Sequence, residues 1–215
     1  VQGGVKIDKD KLVIRSDKIN LDLDKNMASF ESRSSFSKES SRLFANIATA
    51  FFDEDKVEMA GSVEVIQKNK TATSDMASYD DSSRTIVMTS NVKAVIEKPK
   101  SLLKEESARK YKGEEGKALT TKTALTCDEL VISTENNDAH ASGNVHVTQK
   151  DKEAKSDRAN YTQDKETIVM TGNVYMKRKE DWVKADKVLV SIDKEIFEAI
   201  GQAETTFKVK KGSGR

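Results

Sequence analysis

Cysteine and proline each occur once in the 215 residues, as Cys127 and Pro99, and long apolar runs are missing. A single cysteine excludes an intramolecular disulfide. Because proline cannot donate a ladder hydrogen bond, its scarcity is compatible with uninterrupted β-ladders. No run reaches the roughly 18 apolar residues of a membrane-spanning helix, so none is predicted.

Neither sign of charge is in excess. The chain has 37 basic and 36 acidic residues, and its net charge is +1. A nucleic-acid-binding protein usually has a basic excess, so no nucleic-acid partner is expected. Charged residues make up 34% and hydrophobic residues 36% of the chain. Together with clear periodicity, this balance favours a thin, elongated body whose side chains mostly stay near water.

Motifs for catalysis, metals and cofactors are also missing. His140 and His146 have no cysteine or paired carboxylate at ligand spacing, whereas a zinc site needs three or four converging ligands. The glycines at 113 and 116 are not followed by the Lys and Ser/Thr of a phosphate-binding loop. We therefore predict no catalytic residue, metal or cofactor, and we expect Cys127 to be a buried strand residue.

An internal repeat is the strongest feature that is present. Residues 61–92 align without a gap on residues 143–174, 82 positions later, and 18 of these 32 positions are identical. Apolar residues within the repeat alternate with polar ones, as Val63 and Val65 do around Glu64. A period of two predicts half-buried β-strands rather than helices. Polar turns such as residues 80–83 and 163–166 separate the strands.

A shared sequence pattern extends the repeat toward both ends of the chain. A small residue and an Asp precede an alternating apolar run at Asp17, Asp75, Asp157 and Asp186, and these carboxylates are expected to form turn hydrogen bonds at strand starts. Residues 12–14 predict the opening strand, and residues 44–52 predict a buried strand or a short helix, of which the strand is favoured. We divide the chain into residues 1–97 and 123–211 as two halves of one β-domain, a charged insertion loop at 98–122 and a tail at 212–215.

The motif Asp157-x-Ala159-x-Tyr161, followed by Ile168 to Val174, resembles the OstA-like repeat of the LptA–LptC family of periplasmic lipopolysaccharide-transport proteins. Residues 14–18 resemble the start of LptA chains, and the likeness covers most of residues 12–209. It implies an elongated, twisted, open β-jellyroll with two antiparallel sheets in a V. It also implies a non-enzymatic carrier that shields the acyl chains of lipopolysaccharide or a related glycolipid and stacks end to end.

The more apolar set of alternating residues is predicted to face inward and line a lipid groove. The family likeness places a lipid-contacting residue at Tyr161 and another near Leu12. The full predicted set is Leu12, Ile19, Leu21, Val63, Val65, Ile86, Met88, Val92, Val145, Val147, Tyr161, Ile168, Met170, Val174, Val188, Val190 and Ile192. Each of these residues alone is equally compatible with plain core packing.

The expected partners are lipopolysaccharide or a glycolipid and other Lpt-type jellyroll proteins of the inner-membrane transporter and outer-membrane translocon. Terminal edge strands would join them, and a head-to-tail homo-oligomer is a further expectation. The likeness implies a periplasmic location, either free or held at the inner membrane by a segment outside this sequence. Two alternatives stay open: an assembly module that joins partners through edge strands without lipid, and a repetitive surface adhesin with a filled core.

Overall fold

A computed structural model describes residues 2–9, 12–38, 41–97, 122–192, 194 and 196–206. The predicted insertion at 98–122 lies outside these ranges except for Lys122, and the predicted tail lies outside them entirely. Every regular element in the described ranges is a β-strand. The sixteen strands are β1 Gln2–Lys9, β2 Leu12–Lys18, β3 Asn20–Asp22, β4 Met27–Phe30, β5 Ser34–Lys38, β6 Ser41–Ala45, β7 Ile47–Phe51, β8 Lys56–Gln67, β9 Lys70–Asp80, β10 Thr85–Glu97, β11 Lys122–Ser133, β12 Ala139–Gln149, β13 Lys152–Thr162, β14 Thr167–Arg178, β15 Asp181–Ser191 and β16 Ile196–Thr206.

The strands form a single antiparallel network that branches at β8. The main path runs β1-β2-β5-β6-β8 and then in chain order to β16, while β3, β4 and β7 form a side branch. The first half of β8 pairs with β7, and its second half pairs with β6. With strands about 4.8 Å apart, the thirteen strands of the main path span about 60 Å. The predicted all-β, elongated jellyroll is confirmed.

Each long strand bends at its centre, which divides the network into two half-sheets. The β4 half-sheet contains β3, β4 and β7 with one half of every long strand, and the β5 half-sheet contains β1, β2, β5 and β6 with the other half. A register shift of one residue marks the bend, for example where Lys155 and Arg158 of β13 pair with Tyr175 and Thr171 of β14. Such a β-bulge turns the strand direction and increases its twist. The two predicted sheets therefore share their long strands.

The bulge depends on a pair of left-handed residues and on a facing Asp. Gly172 and Asn173 have φ of 77° and 48°. The Asn173 side-chain amide donates a 2.8 Å hydrogen bond to the carboxylate of Asp157 on the neighbouring strand. The same contact joins Asn91 to Asp75 at 2.6 Å and Asn144 to Asp128 at 2.9 Å.

The small residue before each Asp also has a structural role. The Ser156 hydroxyl donates to the Arg158 carbonyl at 2.8 Å, and Ser74 donates to Met76 at the same distance. Both serines are buried. Cys127 occupies the equivalent place before Asp128 and is buried as expected. The Asp residues do not lie at strand starts, as the shared sequence pattern suggested. Asp75, Asp157 and Asp186 lie mid-strand, because the bend occurs where the alternation is interrupted, and Asp17 is the next-to-last residue of β2.

Two further expectations are corrected in detail. The first described strand is β1 rather than residues 12–14, and it pairs antiparallel with β2. Residues 44–51 lie in strands as predicted, except that Asn46 separates β6 from β7, and Ile47 is 56% exposed on the outer face. The divided stretch serves both half-sheets, since β6 lies in one and β7 in the other.

Candidate functional site

Two apolar rows cross the fold, one on the inner face of each half-sheet. Residues directly opposite each other on paired strands point to the same face, so strand register defines each row. The β4 row is Leu21, Ala28, Ala50, Val57, Tyr79, Ile86, Ile132, Ala139, Tyr161, Ile168, Val190 and Phe197. The β5 row is Ile7, Ile14, Phe36, Leu43, Val65, Ala72, Ala94, Leu125, Val147, Ala154, Met176 and Val183.

The two inner faces pack against each other. Phe30 of β4 meets Phe36 of β5 edge to face, with ring centroids 5.7 Å apart. Buried residues of both half-sheets belong to one hydrophobic core. The fold therefore encloses a continuous apolar layer that extends through its successive strands.

Most of the predicted groove residues lie in this layer. Those that are buried are Ile19, Val63, Val65, Ile86, Met88, Val92, Val145, Val147, Tyr161, Ile168, Met170, Val174, Val188, Val190 and Ile192. Leu12 is half-buried and packs against them. Whether these side chains contact a lipid stays a prediction, since burial alone does not separate lining from packing.

Leu21 lies in the β4 row, on the face that the sequence predicts, but it is not buried. Its side chain is 51% exposed, although it pairs with fully buried Ala28 and shares that residue's face. The three-residue strand β3 pairs only with β4 within the described part of the chain. Since no described strand flanks β3 on its other side, Leu21 forms an uncovered end of the β4 row.

Sequence reasoning missed the inward residues on the partner strands. These include Phe30, Phe36, Leu43, Val57, Met59, Leu130 and Ile132, and alanines at 72, 77, 141, 154 and 159. The alanines were missed because small side chains give a weak apolar signal. Alternation also changes phase at each Asp, as between Ser156 and Ala159. Reading each side of the Asp as a separate alternating run would have identified them.

A small cavity lies between the two rows near the centre of the fold. Its volume is about 70 Å³. The β5 half-sheet contributes Val65, Ala72, Ala94 and Leu125, and the β4 half-sheet contributes Ile132, Ala139, Tyr161 and Ile168. Sites for drug-sized ligands usually measure about 300–1,000 Å³. An acyl chain could occupy the layer only if the half-sheets moved apart.

The ring of Tyr161, on the β4 half-sheet, lies at the outer margin where the two half-sheets meet. Burial raises the pKa of the Tyr161 hydroxyl to about 12, and the charges of Glu166 and Asp138 act in the same direction. That hydroxyl contacts the Gln163 side-chain oxygen at 3.3 Å. The ammonium group of Lys70, on the opposite half-sheet, lies 4.8 Å from the centroid of the Tyr161 ring. Tyr161 thus joins the two half-sheets at this margin.

Two buried glutamines mark the same margin of the β5 half-sheet. The Gln67 amide donates to Ser41 at 2.8 Å, and the Gln149 amide donates to Thr123 at 2.9 Å. These two bonds are 82 residues apart, so the repeat places the same polar pair in both halves. The Gln149 side-chain oxygen is buried without a hydrogen-bond partner among the described residues.

The described residues contain no group of three His, Cys, Asp or Glu side chains that could hold a metal ion. Among the same residues, no helix is long and apolar enough to cross a membrane. Burial, assisted by the neighbouring Asp128 and Glu129 charges, raises the pKa of the Cys127 thiol to about 12, which disfavours the reactive thiolate. The chemistry of this site is therefore apolar contact, bordered by a few polar and cationic groups.

A family model matches most of this chain. The family described as "LptA/(LptD N-terminal domain) LPS transport protein" matches residues 1–115, 120–196 and 153–213. No curated protein matches the chain. One similar solved structure is LptH from Pseudomonas aeruginosa, described as the LptA homologous periplasmic component of the conserved lipopolysaccharide transport device. It is 10% identical, with a TM-score of 0.31, and the match covers 79% of this chain and 95% of that chain. Because the family match extends over nearly the whole sequence, this chain belongs to the LptA/LptD N-terminal family of lipopolysaccharide-transport proteins.

Proposed function

We propose that this chain is a periplasmic carrier and bridge that shields the acyl chains of lipopolysaccharide, or of a related glycolipid, between its two half-sheets. The observation that carries the proposal is the pair of apolar rows, which continue through consecutive strands from one end of the fold to the other. Each methylene removed from water contributes roughly 0.8 kcal/mol, so such a layer suits acyl chains without specific polar contacts.

The two ends of the fold favour end-to-end assembly as part of this function. At one end Leu21 leaves the β4 row uncovered, and at the other the row finishes at half-buried Phe197. Strand β16 pairs only with β15 among the described strands. An unpaired edge strand can hydrogen-bond to a strand of another molecule. We propose that a stacked copy, or another jellyroll of the transport system, extends both the ladder and the apolar layer.

A photocrosslinker at Leu125 tests the lipid-carrier role. Leu125 lines the cavity and is only partly buried, so a larger residue there disturbs packing less than one at fully buried Val147 or Met170. Thr126, the next residue, is exposed and points to the other face, so it is the matched control. We expect lipopolysaccharide to crosslink at residue 125 and not at 126 in the periplasm of growing cells.

The same crosslinking experiment distinguishes the lipid carrier from the alternative, an assembly module that binds no lipid. If the crosslinked protein carries no lipopolysaccharide while head-to-tail oligomers still form, the carrier proposal is wrong and the assembly role stands. Oligomers are followed by size-exclusion chromatography of the purified chain and of a variant that lacks residues 196–206. Loss of oligomers with that deletion, while the monomer stays folded by circular dichroism, supports β16 as the joining edge.

A further inference from the structure

Lysine side chains cover aromatic rings at three places along the margin where the half-sheets meet. In each pair the lysine lies on the β5 half-sheet and the ring on the β4 half-sheet. The distances from Nζ to the ring centroid are 5.8 Å for Lys38 over Tyr79, 4.8 Å for Lys70 over Tyr161 and 5.5 Å for Lys152 over Phe197. Because the two half-sheets must part to admit a chain, each pair lies at a potential point of entry.

The Lys38 pair contains its own negative charge. The ammonium group of Lys38 forms an ion pair with Asp81, and the Tyr79 hydroxyl donates to the same carboxylate at 2.6 Å. These contacts hold the pKa of Asp81 below its usual value, although burial opposes them. The charge of Lys38 is therefore largely balanced within the protein.

Lys70 has no such partner. Among the described residues, no carboxylate lies within ion-pairing distance of its ammonium group, which donates instead to the Asn137 carbonyl at 3.3 Å. Partial burial and the charge of Lys68 lower its pKa to about 8, while the more distant Asp138 and Glu166 act in the opposite direction. Within the described part of the chain, the charge of Lys70 is therefore not balanced by a neighbouring carboxylate.

Lys70 also borders the apolar cavity. It lines that cavity together with Leu125, Ile132 and Tyr161. The polar end of an amphiphile whose chain entered between these residues would lie beside the ammonium group. An ammonium-to-phosphate contact is a charge-assisted hydrogen bond, which is roughly twice as strong as one between neutral groups. A contact with an aromatic ring contributes only about 0.5–2 kcal/mol. An anionic group would thus compensate for separating Lys70 from Tyr161, and a neutral group would not.

We propose that Lys70 binds the anionic group of the amphiphile held between the half-sheets, such as a phosphate monoester. This inference rests on the proposed function and adds a selection by charge to it. Separation of the two half-sheets at Lys70 becomes more favourable when the incoming amphiphile carries a phosphate. The charge-balanced Lys38 does not provide this selection.

Binding of two single-chain amphiphiles tests the inference. Dodecyl phosphate and dodecyl maltoside have the same chain, and each is titrated below its micelle concentration by isothermal calorimetry. In Lys70→Gln we expect dodecyl phosphate to bind about tenfold more weakly, which is about 1.4 kcal/mol, and dodecyl maltoside to bind within twofold of the wild type. Lys68→Gln is the control, because it removes the same charge two residues away from an exposed position. The affinity of Lys68→Gln for each of the two amphiphiles should stay within twofold of the wild-type value.

The possible results separate this inference from the proposed function. Equal weakening of both amphiphiles in Lys70→Gln, or equal loss of phosphate affinity in Lys68→Gln, would overturn a specific role for Lys70. An unchanged phosphate affinity in Lys70→Gln would overturn it too, while the carrier function stands. If the wild type binds neither amphiphile, both proposals fail.

The pH dependence of binding provides a second measurement. The second pKa of a phosphate monoester is about 6, so its charge is constant between pH 7 and 9. The pKa of Tyr161 is raised to about 12, so its hydroxyl does not titrate there. The wild type should lose its preference for dodecyl phosphate across this range as Lys70 loses its proton, and Lys70→Gln should show no such loss. A wild-type preference that persists at pH 9 contradicts the inference.

Discussion

Replacing Gly172 with alanine is a direct test of the bulge that bends each long strand. Gly172 has φ of 77°, a left-handed conformation that costs an ordinary residue roughly 1–2 kcal/mol. An added Cβ would also lie 2.5 Å from Asp157 Oδ2. The carboxylate would have to move away from its hydrogen bond with Asn173, which contributes about 1 kcal/mol.

The two effects together predict that Gly172→Ala lowers the free energy of unfolding by about 2–3 kcal/mol. In a chain of this size, a loss of about 1 kcal/mol in the free energy of unfolding lowers the thermal midpoint by about 2–4 °C. The midpoint should therefore fall by about 5–10 °C. Circular dichroism in the β region measures it. Ser90→Gly is the matched control at the same position of the first repeat, since Ser90 already has φ of 64°. Relief of its left-handed cost should keep or raise the free energy of unfolding, by up to about 1 kcal/mol.

A double-mutant cycle identifies the source of the loss. In an Asp157→Ala background the clashing carboxylate is absent, so Gly172→Ala should cost about 1 kcal/mol less than in the wild type. An equal cost in both backgrounds would refute the steric part of the reasoning. A midpoint for Gly172→Ala within 1 °C of the wild type would refute the bulge geometry itself.

The remaining predictions concern the core, the thiol and Lys70. Met170 is fully buried, so Met170→Ala should lower the free energy of unfolding in urea by about 2–5 kcal/mol, whereas Thr171→Ala, on the other face, should change it by less than about 0.5 kcal/mol. Iodoacetamide at pH 8 should label Cys127 slowly in the native chain and quickly in urea, because burial raises the thiol pKa to about 12; rapid native labelling would contradict the buried placement. The Lys70 pKa of about 8 lies below its unfolded value of 10.5, so the folded chain binds fewer protons between these values and its stability should rise with pH there. Urea midpoints from pH 7.5 to 10 should therefore shift upward in the wild type relative to Lys70→Gln, and parallel shifts would argue against the lowered pKa.

Much of the fold was predictable because repeated strands reveal their own period. Alternation in the two repeat copies predicts that Val63, Met88, Val145 and Met170 point inward, and all four side chains are buried. The partner strands were harder, because Ala72 and Ala154 give little apolar contrast and because each Asp changes the phase of the alternation. Leu21 is exposed for another reason: its direction follows the pattern, but its exposure depends on whether another strand lies beside β3.

Local sequence was enough to predict the strand class, the repeat and the inward direction of the apolar residues that alternate within it, because side-chain direction in a strand depends on neighbouring residues alone. The folded structure was needed to show that the strands bend at the Asp–Asn contacts, that the two halves of each strand lie in facing half-sheets and that a small cavity remains between them. The contact of Lys70 with Tyr161 also came from the structure alone, since β10, β11 and β12 separate their strands in the chain. Such contacts depend on how distant segments pack, and local periodicity carries no information about that packing.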